Sequence, residues 1–236
     1  MIGRVLLAAL LAGIAAGLIM GVIQHVRLTP LILEAEVFET TGHTHGTDTA
    51  TGETAATEDH DHGEGWAPAD GWQRTLSTTV TAMMTGAAFA LLLAGISLVA
   101  GIPLTRQNGV IWGLCGFLAV TIAPAAGLPP ELPGMPAGDL AARQVWWLGT
   151  IAATGIGIWL IATRRETWGL ALAVLIIGLP HMIGAPAPIT HESAVPPNLA
   201  ATFAANAIAA NAIFWCLIGT FSGIAINRHA PDAQTT

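Results

Sequence analysis

The stretch VLLAALLAGIAAGLIMGVI, from Val5 to Ile23, holds no charged residue, no proline and no polar side chain. About 20 apolar residues are what a helix needs to cross a hydrocarbon layer of roughly 30 Å. Inside that layer every backbone N–H and C=O must be satisfied within the protein, and a helix does so within one segment. Gly13, Gly17 and Gly21 recur at every fourth position, a small-xxx-small pattern that lets a second helix approach closely. Arg4 ahead of the apolar run is also what a signal peptide shows. The run is longer than the usual core of such a leader, however, and no A-x-A cleavage site precedes a polar start, so it is read as a retained span.

Five further stretches have the same character, near Leu76 to Ile102, Val110 to Leu128, Val145 to Thr163, Trp168 to Ile183 and Leu199 to Ile226. Only 10% of the 236 residues are charged and 53% are hydrophobic, a composition that excludes an ordinary water-soluble domain. The expected fold is all-α: a polytopic integral membrane protein of six transmembrane helices, with residues 1–236 forming one membrane domain. Arg4, Arg106, Arg164, Arg165 and Arg228 fall on alternate connections and at both ends, against Arg27, Arg74 and Arg143 on the other side, a modest but consistent bias. The positive-inside rule therefore predicts that both termini are cytoplasmic. Trp146 and Trp147 then fall at an outer helix end, and Trp112 and Trp168 at inner ends, as interfacial anchors. Pro180 interrupts the fifth span, whose freed backbone groups need protein or water beside them. The run from Leu128 to Pro136 is too proline-rich to be helical and is read as an outer loop. Asp139 is placed to cap the fourth span, at i,i+4 spacing from Arg143.

The net charge of −7 is concentrated in one place. Ten of the 15 acids lie between Glu34 and Asp70, where there is no Arg or Lys. Residues 28–75 are read as an outer loop, and the Thr-, Gly-, His- and acid-rich insert 40–65 as disordered, since it cannot bury enough apolar surface to fold alone. Two His-x-His pairs, His43 with His45 and His60 with His62, sit in this insert close to Asp59, Asp61 and Glu64. In extended backbone such a pair projects both imidazoles to one side. Imidazole with carboxylate suits divalent first-row metals rather than thiolate-seeking ones. An acidic loop also concentrates cations. The insert therefore reads either as a low-affinity antenna or as a solvated linker that happens to bind metal.

Histidines at the membrane are more selective signals. His25 lies at the outer end of the first span, His181 beside Pro180, and His191 with Glu192 in the short outer loop that follows. Counting about 1.5 Å per residue puts His181 about 10 Å below the outer surface, at a depth similar to Met83, Met84 and Asn206. An ionisable group at that depth usually faces a cavity or a pathway. Asn206 and Asn211 within the last span can bridge helices or meet a cation, and only one of them can line a given face. Cys115 and Cys216 stand alone in separate apolar segments, with neither metal nor disulfide spacing. There is no phosphate-binding G-x-x-x-x-G-K-[ST] loop, and His191-Glu192 continues Ser-Ala-Val-Pro-Pro rather than completing H-E-x-x-H. ATP hydrolysis and zinc proteolysis thus lose their usual machinery, and the chain is expected not to be an enzyme.

Several segments together carry a resemblance. They are Gln24 to Glu36, Ala123 to Gly134, Arg143-Gln144-Val145-Trp146-Trp147, Gly178-Leu179-Pro180-His181, Gly184-Ala185-Pro186 and Pro188 to Pro196. In these the chain resembles the CbtA family of cobalt transporter subunits. The resemblance implies uptake of cobalt for cobalamin supply across the cytoplasmic membrane of a prokaryote, with a small single-helix CbtB-like companion that carries its own histidines. Nickel is the nearest rival cargo, because imidazole and carboxylate do not separate the two ions. A membrane metal sensor or binding scaffold that moves nothing is the rival of a different class. The metal is expected as cargo rather than as a tightly bound cofactor. Besides the companion and the lipid bilayer, a second copy is a possible partner, and no nucleic acid is expected. The metal-ligand candidates drawn from the residues themselves are His25, His181, His191, Glu192, Asn206, His43, His45, His60 and His62.

Overall fold

The computed structural model describes residues 2–42, 68–69, 71–164, 166–190 and 192–229. The described residues contain helices and connections and no strand: α1 (Ile2–Ile23), a π-helical segment (Gln24–Leu28), α2 (Thr29–Gly42), α3 (Trp72–Ala100), α4 (Gly109–Phe117), a second π-helical segment (Leu118–Ile122), α5 (Ala123–Ala125), α6 (Leu140–Thr163), α7 (Thr167–Ile183) and α8 (Pro197–His229). All six expected apolar spans are helical. Four helices are long and apolar enough to cross a membrane, while Gly109–Ala125 and Thr167–Ile183 are shorter apolar helices. The chain is an all-α membrane protein.

The first helix runs past residue 28, where the outer segment is expected to begin. It continues without a break from Ile2 to Phe38, 37 residues, and α2 occupies the first part of the expected loop 28–75. At about 1.5 Å per residue it is roughly 55 Å long, so it overhangs a 30 Å hydrocarbon layer by about 25 Å. Pro30 should have stopped it, because proline lacks an N–H and its ring crowds the carbonyl four residues back. The π segment absorbs the conflict. It is framed by helical backbone at Ile23 and Thr29, and both the N–H of Thr29 and its Oγ1 donate to the carbonyl of Gln24. The wider turn re-routes hydrogen bonds ahead of the proline. The same solution recurs at Leu118–Ile122, where the Ala123 N–H reaches the Leu118 carbonyl just before Pro124. Residues 43–65 of the expected disordered insert lie outside the described residues.

α1, α3, α4 and α8 form the body, with α1 packed on α3 and α8, and α4 on α8. The spacing of Gly13, Gly17 and Gly21 does place them in a seam. A Cβ on Gly13 would strike the backbone of Gly86 and Ala87, and one on Gly21 would come within 2.8 Å of Thr79. Gly109 and Gly219 form a matching backbone-to-backbone seam between α4 and α8. Around these seams Ala9, Ala16, Trp215 and Ile218 are wholly buried, and Trp215 stacks on Phe89 with ring centroids 4.6 Å apart. Between helices in lipid, such close van der Waals packing supplies most of the association energy.

α6 and α7 form a hairpin beside this body, joined to it through α4, α5 and the second π segment. Asp139 caps α6 as expected, accepting the Ala142 N–H at 2.8 Å. The expected partner of Arg143 is corrected. Its guanidinium is 2.5 Å from Glu131 in the proline-rich loop and not on Asp139, whose carboxylate serves the cap. At the same end of the molecule Ala35, Leu132, Val195 and Leu199 make a second, smaller core. That core gathers α2, the loop before α6 and the segment before α8 into an ordered cap, fastened by the Arg74–Glu36 pair.

Candidate metal-handling site

His25 sits on the first π segment, exposed, with Nδ1 3.2 Å from the Thr75 hydroxyl of α3. That hydroxyl also donates to the Gly71 carbonyl at 3.1 Å. A hydroxyl has one proton. With it on Gly71, Thr75 accepts from Nδ1–H, and the imidazole is left with its Nε2 lone pair outward. This is the arrangement of a metal-ligating histidine, whose other nitrogen is held by a hydrogen-bond partner.

Two residues along the same segment, Arg27 donates to Asn206 Oδ1 from Nη2 at 3.0 Å and from Nε at 3.3 Å. The Asn206 amide nitrogen in turn donates to the Thr202 carbonyl at 2.8 Å. Asn206 therefore meets a guanidinium rather than His181, and both ends of its amide are engaged. Asn211 makes the equivalent bond back to Ala207, 2.9 Å, from a half-buried position. Of the methionines, Met20 is buried in the main core and Met84 is exposed.

His181 lies near the end of α7 with its side chain exposed. Its ring stands edge-on to that of Trp146, with centroids 5.8 Å apart and an interplanar angle of 77°. The carbonyl beside it, that of Pro180, is occupied by the Trp146 indole N–H at 3.0 Å and by the Gly184 N–H at 3.1 Å. Trp146, and not His181, is thus the side chain that bonds the Pro180 carbonyl.

The candidates do not converge in one place. His25 belongs to the α1–α3–α8 body and His181 to the α6–α7 hairpin. Glu192 is exposed in the segment leading to Val195, one of the residues of the smaller core. His191, His43, His45, His60 and His62 lie outside the described residues. Among the described residues no three His, Cys, Asp or Glu side chains are grouped to hold a metal ion. Sequence reasoning missed the π geometry under His25, the Arg27–Asn206 contact and Gln24, whose Oε1 is buried with no hydrogen-bond partner among the described residues. The available signal was Gln24-His25 followed at short range by Pro30, a polar step and a proline inside one apolar helix.

No curated protein and no solved structure matches the chain. A family model described as "Probable cobalt transporter subunit (CbtA)" matches residues 2–227. That match spans both seams, the π segments and the cap, so the chain belongs to the CbtA family.

Proposed function

We propose that this chain is the membrane-spanning subunit through which Co²⁺ enters the cell. The reading rests chiefly on His25, which is held through Nδ1 on the π segment of a long apolar helix so that Nε2 can take a divalent ion. The histidines and acids of segment 40–65 gather the cation, and His25, His191 and Glu192 pass it inward. His181 receives it partly dehydrated. All six apolar helices cross the bilayer, with both termini in the cytoplasm, as the arginine distribution favours. Cobalt is the cargo that the family description supports. The ligand types alone would accept nickel, and the affinity order would favour it.

A family of subunits implies a partner. α7 packs chiefly on α6, so an exposed imidazole on it costs free energy if it faces lipid. In this proposal a small single-helix companion bearing its own ligands covers that face and completes the coordination of His181. The scattering of ligands among the described residues agrees with a site finished by a second chain. The test is uptake of radiolabelled cobalt into vesicles holding this chain with and without the companion, under an imposed potential and with nickel as competitor. Saturable uptake that needs both chains supports the proposal. Cobalt binding without accumulation in either preparation would leave a membrane scaffold or sensor in its place.

A further inference from the structure

At the end of the body where α1 begins and α8 finishes, an open groove of about 300 Å³ runs between the two helices. Ala8, Leu11 and Ala15 line it from α1, and Phe221 and Ile224 from α8. Arg228 stands at its mouth. A second hollow of about 300 Å³ shares Ala8 and Leu11 with the first and is bounded by Arg4. The two hollows adjoin at Ala8 and Leu11, and each has one guanidinium in its lining, Arg228 in the first and Arg4 in the second. The alanines keep them open, since larger side chains there would fill the space between the helices.

Neither α1 nor α8 contains an Asp or a Glu, and among the described residues neither Arg4 nor Arg228 has an ion pair. Both guanidiniums are exposed. An arginine fork matches phosphate oxygens in a bidentate manner. A headgroup of net negative charge is favoured over a zwitterionic one, because two guanidiniums repel an added choline or ethanolamine charge. Basic pockets between membrane helices are recognised sites for acidic lipid headgroups. An occupant must be apolar along Leu11, Ala15, Phe221 and Ile224, and anionic at Arg4 and Arg228. An acyl chain ending in a phosphodiester meets both requirements.

We propose that the groove between α1 and α8 is a specific site for one anionic phospholipid, its acyl chain along Leu11 and Ala15 and its phosphate between Arg4 and Arg228. The test is native mass spectrometry of the detergent-purified full chain titrated with phosphatidylglycerol or phosphatidylcholine. The expected result is one tightly retained phosphatidylglycerol, with phosphatidylcholine at least tenfold weaker. Arg4→Gln with Arg228→Gln should lose that preference. Ala15→Phe, at an exposed position of α1, should lower retention of the lipid while leaving both charges in place. Equal retention of the two lipids, or unchanged phosphatidylglycerol binding in the double variant, overturns the proposal. So does displacement of the lipid by inorganic phosphate alone, which would mark a simple anion site. A lipid-insensitive dimer that Ala15→Phe dissolves would assign the groove to a second copy of the chain and equally overturn it.

Discussion

Arg27 holds Asn206 by a fork of two hydrogen bonds, from Nη2 at 3.0 Å and from Nε at 3.3 Å, and so ties the first π segment to α8. A guanidinium at this distance repels a divalent cation, which favours a helix contact over an ion at the amide oxygen. Asn206→Ala is accordingly expected to lower thermal stability by a few degrees, the loss of a partly exposed charged hydrogen bond being about 1 kcal/mol. Cobalt affinity should stay within twofold. A tenfold loss in a titration of the purified protein would make Asn206 a ligand after all.

For His25 the expectation is reversed. His25→Ala should abolish saturable cobalt uptake while the protein still inserts. Thr75→Val removes the group that orients Nδ1, and losing such an outer partner typically costs 10- to 100-fold in metal affinity. The increase should appear in KM, with the maximal rate little changed, and Thr75→Ser should restore it. Equal KM values for Thr75→Val and the parent would show that the hydroxyl does not set the ring.

Trp146 and His181 can be separated by substitution. Trp146→Phe removes the indole donor to the Pro180 carbonyl, which keeps the Gly184 N–H, so the cost should be about 1 kcal/mol. His181→Ala should leave stability unchanged, because the ring makes no hydrogen bond among the described residues, yet it should abolish transport at high metal. Normal uptake by a stably inserted His181→Ala protein would remove this residue from the pathway.

Gly13→Val tests the seam. The new Cβ meets the backbone of Gly86 rather than a movable side chain, so α1 and α3 must separate. Overpacking of this kind costs about 3 kcal/mol, or more where backbone cannot give. Gly3→Val is the control, since no atom lies near that position. Melting in detergent should fall sharply for the first and hardly for the second.

Orientation is checked with single cysteines. A cysteine at Ser193 should react with a membrane-impermeant maleimide on intact cells, and one at Thr167, where α7 begins, should not. The opposite pattern would invert the topology.

The spans were legible because apolar length is a direct consequence of the bilayer, and each expected stretch is helical. Their ends were less so. The first span was expected to end at Ile23, and the π turn ahead of Pro30 explains how the helix continues through Phe38. Such a turn depends on re-routed backbone bonds that leave a weak trace in side-chain pattern. Asp139 was correctly placed as a cap because capping is local, whereas Arg143 chose Glu131 across a loop whose path the sequence does not fix. For the same reason His25 could be named from its position, but its hold on Thr75, 50 residues away, could not.

The glycine seams have a mechanical consequence. Where backbone rests on backbone, as at Gly13 with Gly86 and Gly109 with Gly219, one helix cannot slide along its neighbour without driving a Cβ into a carbonyl. The body is therefore stiff in shear. The α6–α7 hairpin meets the rest of the chain through side chains instead: Gly149 and Gly155 face open space, Gly157 meets α7, and a Cβ on Gly127 would strike the Trp146 ring of α6 rather than backbone. Any rocking between outward- and inward-open forms would concentrate its strain along the line where this hairpin meets α4, α5 and the second π segment.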